Sequence, residues 1–316
     1  MKKLILICFI VLFGSANYAT YAQPNVGASP EQIKAITSLW QGERFPDGRP
    51  KVADEWLERL RRVAIEAAWS VLRNRGYENQ FEGSWTVLNP DGDIQMTGRV
   101  VTAQYMPFRP DMDAWVKAQG KAEGRANPPT NSWPIDVLQN GDFYVADSYG
   151  KVHDGPILGD NLANAIYAKS QRGVIVYGTA RDPVGMRMIE GFNTWTKGFD
   201  ASFLQQMMLT SINMPIRIGR ATVLPGDVVL AGGHGVLFVP AHLIEEVVIT
   251  AEVTEIRDRF GWTRLREGKY TPGQIDSQWT DEIRRDFLEF IKTYDGDFKL
   301  PMNEEQFERY MTERNW

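Results

Sequence analysis

Two short motifs place residues capable of anion and metal chemistry at the ends of neighbouring elements. Leu158–Leu162 (LGDNL) has the form of a glycine turn that opens a helix, and Gly178–Asp182 (GTARD) ends an apolar strand. Backbone N–H groups at a helix start bind oxygen anions. Arginine grips a carboxylate through two parallel hydrogen bonds, and aspartate binds hard divalent cations. The motifs therefore predict a site for a small carboxylate whose neighbouring carbon carries negative charge during the reaction.

The start of the chain has the pattern of a secretory signal over residues 1–22. Lys2 and Lys3 precede an apolar run from Leu4 to Phe13, and small residues lead up to Gln23. The run is too short to span a membrane. Cys8, the single cysteine, lies within it, so the mature protein is expected to have no disulfide, thiol nucleophile or cysteine-ligated metal. We expect an exported protein, periplasmic or secreted.

Composition narrows the class of ligand. The chain of 316 residues has a net charge of −5 and no long basic stretch, which argues against nucleic acid as the main partner. No later segment has the length and apolarity of a membrane span. The ten tryptophans either pack in the core or form an apolar platform for a sugar ring.

Hydrophobic periodicity predicts alternating helices and strands, typical of an α/β protein. We expect an N-terminal arm over residues 23–50, a catalytic domain over 51–250 and a helical extension over 251–316. Predicted helices cover 53–75, 162–170, 243–248, 283–294 and 304–314, with one helical stretch inside an inserted loop at 107–131. Predicted strands cover 98–105, 143–147, 173–178, 216–223, 227–230 and 236–239.

The order of six motifs resembles the RraA-like family, which includes the regulator of ribonuclease activity A, the class II 4-hydroxy-4-methyl-2-oxoglutarate aldolases and chains called dimethylmenaquinone methyltransferase-like. Each motif alone is weak, but all six occur in the family's order. The matching segments are Gly98–Thr102, Asn140–Val145, Gly159–Leu162, Gly173–Asp182, Pro225–Asp227 and Gly235–Pro240.

The resemblance implies a β/β/α swivelling-domain fold and a ring-shaped homotrimer with sites between subunits. It also implies that the turn Gly159-Asp160-Asn161-Leu162 contacts substrate oxygens, that Arg181 binds the substrate carboxylate and that Asp182 holds Mg²⁺ or Mn²⁺. In the family's aldolases such a site stabilises a pyruvate enolate. Members that inhibit ribonuclease lack the full lyase set, so the presence of both Arg181 and Asp182 favours catalysis.

Three positions depart from the aldolase pattern. Gly185 stands where that pattern has an acidic residue, and Gly232 and His234 stand where it has two aspartates. Glu252 and Glu255 are candidates for an acidic neighbour of the metal supplied by the adjacent subunit. The substrate and the proton-transfer groups are therefore expected to differ from those of the aldolases.

Several candidate residues have a simpler structural explanation. Asp160 either caps its helix or faces the metal or the substrate, and Asp182 either pairs with Arg181 or holds the metal. His234, between glycines, and His153, six residues before Gly159, are candidates for proton transfer. His242 is expected at the surface. No two histidines have the spacing of zinc ligands.

Export changes the expected substrate, because an exported enzyme more often meets polymer fragments than the small oxo-acids of aromatic catabolism. A uronic acid has its C5 proton alpha to a carboxylate and its C4 hydroxyl beta to it. We therefore predict a metal-dependent hydro-lyase that forms 4,5-unsaturated uronate at the end of uronate oligosaccharides. The alternatives are an aldolase or oxaloacetate decarboxylase that releases pyruvate, and a non-catalytic regulatory protein.

Overall fold

The computed structural model describes residues 25–91, 94–125, 129–296, 298, 302–303 and 305–307. The predicted signal segment with Cys8, and most of the predicted helix 304–314, lie outside them. The helices are α1 (Pro30–Ile36), α2 (Asp54–Leu60), α3 (Ile65–Asn74), α4 (Pro110–Ala122), α5 (Trp133–Asp136), α6 (Asp160–Ser170), α7 (Pro183–Arg187), α8 (Ile244–Arg266), α9 (Pro272–Ile275) and α10 (Asp281–Thr293). The strands are β1 (Phe81–Gly83), β2 (Thr86–Val87), β3 (Met96–Pro107), β4 (Asp142–Asp147), β5 (Val174–Ala180), β6 (Thr194–Phe199), β7 (Met207–Ile212), β8 (Ile216–Ile218), β9 (Ala221–Val223), β10 (Val228–Gly232) and β11 (Gly235–Val239). None of the described helices combines the length and the apolar character needed to cross a membrane.

One mixed sheet organises the molecule in the order β1-β11-β10-β3-β4-β5-β6-β2, with β7 also pairing with β3. Strands β3 to β6 are mutually parallel, whereas β10 and β11 are antiparallel to their neighbours. The parallel strands end together at what we call the carboxyl edge and begin together at the amino edge. Because Ala231 pairs with Met96 at the start of β3, the β10–β11 turn lies at the amino edge.

Alternating side chains along the strands fill cores on both faces of the sheet. Val229 and Phe238 join the core under the β8–β9 hairpin, whereas Val228 and Leu237 face a core built with α2, α3, α8 and α10. A third cluster packs α6 and the loop before it against β3, β4 and β5. The loops at the carboxyl edge are therefore anchored to a well-packed sheet.

The N-terminal arm (residues 25–50) is tied to the sheet by a buried ion pair. Both terminal nitrogens of Arg49 lie 3.0 Å from the two carboxylate oxygens of Asp142, the first residue of β4. Both side chains are fully buried. Arg44 holds the arm's own turn by donating to the carbonyl oxygens of Thr37, Trp40 and Gly48. The arm is thus an ordered part of the folded unit.

Long-range contacts explain where the predicted elements differ from those observed. The predicted helix 53–75 is two helices, because the Ala64 N–H donates to Glu255 of α8 at 2.9 Å and starts α3 afresh. The predicted strand 216–223 is the β8–β9 hairpin, which turns at Gly219 in the left-handed region. Strands β6 and β7 were not predicted. Helix α8 runs on to Arg266, through the expected boundary at residue 250.

Candidate active site

Arg181 and Asp182 follow β5 directly, at the carboxyl edge of the sheet. The Arg181 N–H donates to the carbonyl oxygen of Leu158 at 3.0 Å, which fastens this segment to the turn before α6. Asp182 adopts a left-handed backbone conformation (φ 57°) and precedes the short helix α7, which starts with Pro183. The fold therefore brings the two motifs side by side, as the sequence predicts.

Glycine is required at position 159 because Asp182 and Arg181 lie too close for a side chain there, and not because of its backbone angles. Gly159 is the N-cap of α6 in an extended conformation. A Cβ atom at this position would lie 2.4 Å from Asp182 Oδ2 and 3.1 Å from Arg181 Cγ. The missing side chain leaves room for the carboxylate to lie against the start of α6.

The Arg181 guanidinium is held at one nitrogen and open at the other two. Its Nε donates to Asp182 Oδ2 at 3.0 Å, while the terminal nitrogens have no hydrogen-bond partner among the described residues. The two side chains are 37% and 36% exposed. A pair at this exposure adds little to stability. Its geometry leaves the guanidinium edge available for a bidentate carboxylate.

The first turn of α6 adds backbone donors to the same place. The N–H groups of Asp160 and Leu162 have no acceptor in the described part of the chain, while Asn161 N–H donates to Asp160 Oδ1 at 2.8 Å. The positive end of this eleven-residue helix favours negative charge nearby. The turn therefore suits an oxyanion beside the Arg181 guanidinium.

The side chains here suit a divalent cation that is held by one or two carboxylates and by water, and not a cation enclosed by protein ligands. No three His, Cys, Asp or Glu side chains of the described residues are grouped as metal ligands. Asp182 and Asp160 are two carboxylates that flank the start of α6. Mg²⁺ commonly binds one or two carboxylates and keeps several waters. Asp182, half exposed and with only one of its oxygens bonded to Arg181, suits such an ion.

The profile of the RraA-like family (Aldolase/RraA) matches residues 50–238. The chain belongs to the RraA-like family. The resemblance inferred from the six motifs and the predicted α/β fold are thereby confirmed. The family includes lyases and non-enzymatic members, so membership alone does not assign an activity.

Similar proteins agree with this assignment. Protein DlpA of Legionella pneumophila subsp. pneumophila is 28% identical over 167 residues, which are 52% of this chain and 25% of DlpA. The match thus spans about a quarter of DlpA. Streptomyces coelicolor RraAS2, an unusual member of the RNase ES inhibitor RraA protein family, has a TM-score of 0.56 at 25% identity, over 68% of this chain and 98% of that chain. An uncharacterized Pseudomonas syringae protein has a TM-score of 0.58 at 20% identity, over 74% and 98%, and shows the fold alone.

One departure from the RraA-like aldolase pattern has a structural reason. A Cβ atom on Gly185 would lie 2.3 Å from Asp160 Oδ2 and 2.8 Å from Asp160 Cβ. The Asp160 carboxylate therefore lies directly over Gly185, in the space that a side chain there would need. Asp160 is the first residue of α6 and not its N-cap, and its other oxygen, Oδ1, accepts the N–H of Asn161, the second residue, at 2.8 Å.

His153 and His234 lie at opposite edges of the sheet. His153 is 80% exposed, and its ring nitrogens lie 3.7 Å from carboxylate oxygens of Asp154 and Asp200. Asp200 N–H donates to Ala180 O, so this group shares the carboxyl edge with Arg181. His234 lies in the β10–β11 turn at the amino edge, with Nε2 3.0 Å from Glu66. Of these two histidines, His153 is the one on the side of the Arg181–Asp182 pair within one chain.

The expectation for Glu252 and Glu255 is wrong in the folded chain, and His242 is less exposed than predicted. Glu252 forms a two-point pair with Arg59, at 2.9 and 2.6 Å, and Glu255 accepts from Ala64, so both are used inside the fold. His242 is half-buried and lies 3.3 Å from the Tyr77 hydroxyl. These contacts join residues more than 160 positions apart, so local sequence patterns do not reveal them.

The tryptophans divide between packing and exposed surface. Trp133 and Trp195 are buried in the sheet's cores, while the Trp56 ring lies against the Arg59 guanidinium at 4.5 Å. Trp115 lines an open groove of about 780 Å³ at the ends of β3 and β7.

Sequence reasoning missed Asp200 and Ser202; hydrogen bonds from Ser202 lower the pKa of Asp200. Their only signal was a short polar stretch after an apolar strand.

Proposed function

We propose that this RraA-like protein is a divalent-metal-dependent lyase in which Arg181 binds a substrate carboxylate beside the metal ligand Asp182. The observation that carries the proposal is the state of the Arg181 guanidinium. Its Nε is fixed by Asp182 at 3.0 Å, and its terminal nitrogens have no partner among the described residues. Because the side chain is 37% exposed, those nitrogens can donate to the oxygens of a ligand that reaches this edge.

The residues would act on the carbon next to the bound carboxylate. Arg181 would fix the carboxylate by two hydrogen bonds, and the N–H groups of Asp160 and Leu162 would face the oxygen on which negative charge develops. Asp182 would hold Mg²⁺ or Mn²⁺, which supplies positive charge against that developing oxyanion. His153 lies at the same edge and is the proposed group for moving a proton.

For the substrate, we propose the uronate end of an oligosaccharide, with loss of water across C4 and C5. The base removes the C5 proton, the C4 hydroxyl leaves as water after gaining a proton, and a carbon–carbon double bond forms between them. The exposure of Arg181 and Asp182 supports this choice, because the end of a sugar chain could reach both side chains from solvent. The proposal also rests on the predicted export of the chain, periplasmic or secreted.

The second candidate is an aldolase or decarboxylase that releases pyruvate. The family description Aldolase/RraA favours it, because the same carboxylate and oxyanion contacts would serve an enolate. We further propose a homotrimer. Val184 and Met188, beside Asp182, are among the most exposed large apolar side chains, and a neighbouring subunit would cover them.

The decisive experiment measures two reactions in parallel with Mg²⁺ or Mn²⁺ present. Unsaturated uronate is followed by its ultraviolet absorbance, and pyruvate from oxaloacetate by a coupled assay. The uronate signal supports the hydro-lyase, and pyruvate release alone transfers the assignment to the second candidate. If neither substrate is turned over, the catalytic proposal fails and a regulatory role replaces it.

Two substitutions test the roles of the site residues. Asp182→Asn should lower kcat/KM by roughly 10²-fold or more, because the ligand charge is lost. Arg181→Lys keeps the charge but loses the bidentate grip, so KM should rise. The control is Asp281→Asn, which changes an exposed aspartate on α10 that also has an arginine neighbour, at 3.9 Å. Activity in Asp182→Asn equal to that of the control would refute the metal role.

A further inference from the structure

A cavity of about 310 Å³ lies between the N-terminal arm and the strand ends of β9, β10 and β11. One wall comes from the arm, through Ile36, Leu39 and Trp40. The opposite wall includes Leu224 and Pro240. The arm's wall precedes the region that matches the family, residues 50–238, so this cavity lies between the arm and the family domain.

The arm's wall is preformed and not a loose flap. The Arg44 guanidinium donates to the carbonyl oxygens of Thr37 and Trp40 at 2.8 and 3.0 Å. The Trp40 indole N–H donates to Glu43 O at 2.8 Å. The buried pair of Arg49 with Asp142 then fixes the arm's end to the sheet. A ligand would therefore not have to order this wall when it binds.

Polar groups line the cavity at three points. Gln80 uses its side-chain N–H₂ on the carbonyl oxygens of Thr222 and Phe238, and its Oε1 accepts no hydrogen bond from the described chain. The Tyr77 hydroxyl lies 3.3 Å from His242 Nε2, and either direction of that hydrogen bond leaves a lone pair on the Tyr77 oxygen. Asp227 contributes a carboxylate.

The described side chains that line the cavity include a negatively charged group and no lysine or arginine. Asp227 is the one carboxylate among these described residues. Burial also lowers the pKa of His242, which keeps the imidazole neutral near pH 7. Hydrogen-bond acceptors and a single negative charge in an apolar pocket select a ligand that offers donors and a positive charge.

We propose that this cavity binds a small amine, with the ring or aliphatic body of the ligand against Trp40 and Leu39 and its ammonium group against Asp227 and the Gln80 oxygen. Aromatic and aliphatic walls receive the apolar body, and Trp40 offers a ring face for a cation. The site is distinct from the Arg181–Asp182 pair, since none of the residues that line the cavity belongs to the loops at Arg181.

Asp227 also has a structural role in the turn that joins β9 to β10. Its Oδ2 accepts the Leu224 N–H at 2.8 Å and so closes the turn between β9 and β10. The Ala241 backbone also hydrogen-bonds this carboxylate; neither bond neutralises it, and burial raises the pKa of Asp227 to about 7. An ammonium ion in the cavity would supply the missing positive charge without replacing the turn's hydrogen bond.

The test uses benzylamine as the probe, with benzyl alcohol and benzoate as its neutral and anionic matches. Binding to the full-length protein is measured by calorimetry at about pH 8, where Asp227 is ionised. Benzylamine should bind roughly tenfold more tightly than benzyl alcohol, because a charged hydrogen bond is added. Benzoate should not bind measurably. Equal affinities for amine and alcohol, or any preference for benzoate, would overturn the proposal.

Variants locate the binding in this cavity. Asp227→Asn should abolish the preference for the amine but can also disturb its turn. Leu39→Arg and Leu39→Gln avoid that problem, because Leu39 is 64% exposed at the rim. Both substitutions remove the same apolar contact, but the cation at the rim should weaken benzylamine binding several-fold more than the neutral glutamine does. Identical binding by the two Leu39 variants, or no binding of benzylamine to the wild type, contradicts the proposed site.

Discussion

Gly159→Ala tests the architecture of the candidate site through a single methyl group. The added Cβ would lie 2.4 Å from Asp182 Oδ2, about 1 Å short of the 3.4 Å at which ordinary contact begins. The carboxylate must move by about that distance, because the α6 backbone is fixed by the Arg181 N–H bond to Leu158. Displacing a group at a reacting centre by about 1 Å costs roughly 10²-fold in rate.

Stability should change little in the same variant. Asp182 is 36% exposed, so its carboxylate can swing towards solvent without opening the core. We expect a drop of roughly 10²-fold in kcat/KM, a weaker Mn²⁺ affinity by titration, and an almost unchanged melting temperature. Gly273→Ala is the matched control, since a Cβ there meets no atom within 4 Å. Wild-type Mn²⁺ affinity and turnover in Gly159→Ala would refute the close approach on which the site rests.

Three further predictions concern the site and the fold. Gly185→Ala should lower activity and leave folding intact, because its Cβ would lie 2.3 Å from Asp160 Oδ2 and would displace that carboxylate. Steady-state kinetics should show the loss of activity, and the melting temperature should equal that of the wild type. Arg49→Met leaves the buried Asp142 without its ion-pair partner and should lower the free energy of unfolding, measured in urea, by about 3–5 kcal/mol. An unchanged urea midpoint would show that the pair does not hold the arm. Burial raises the pKa of Asp227 to about 7, so the folded state keeps a proton on this carboxyl that the unfolded chain releases near pH 4. The folded state therefore loses stability as the pH rises from about 4 to about 7. Unfolding free energies should therefore fall by about 2 kcal/mol between about pH 5 and pH 7 in the wild type, and a slope of equal size in Asp227→Asn would assign it to another group.

The sequence predicts the centre of the fold better than its periphery. Val174 to Tyr177 form a short, β-branched apolar run bounded by glycines, and such a run is typical of a buried parallel strand. The break between α2 and α3 was missed because its cause, Glu255, lies 191 residues away from Ala64. A periodic apolar pattern shows which face is buried, but not which distant side chain interrupts the backbone.

The candidate site shows the same division between local and long-range information. The pairing of Gly159 with Arg181 and Asp182 could be predicted, because the ends of parallel strands and the loops that follow them meet at one edge. The position of His234 could not, because it depends on the antiparallel pairing of β10 with β3, which turns the β10–β11 loop to the amino edge. Motif order alone carries no information about strand direction.

Gly185 shows that a departure from a family pattern can reflect compensation instead of loss. Read along the chain, the glycine removes an acidic group from the neighbourhood of Asp182. In the fold, Asp160 Oδ2 lies 2.3 Å from where a Cβ on Gly185 would be, so a carboxylate from a different element lies against this position. An acidic side chain is therefore retained against α7, the helix that follows Asp182, and it comes from the first turn of α6, next to the N–H groups of Asp160 and Leu162 that have no acceptor in the described part of the chain. A metal held between these two carboxylates would be tied more closely to that turn, and this coupling is what Gly185→Ala and Gly159→Ala would disturb from opposite sides.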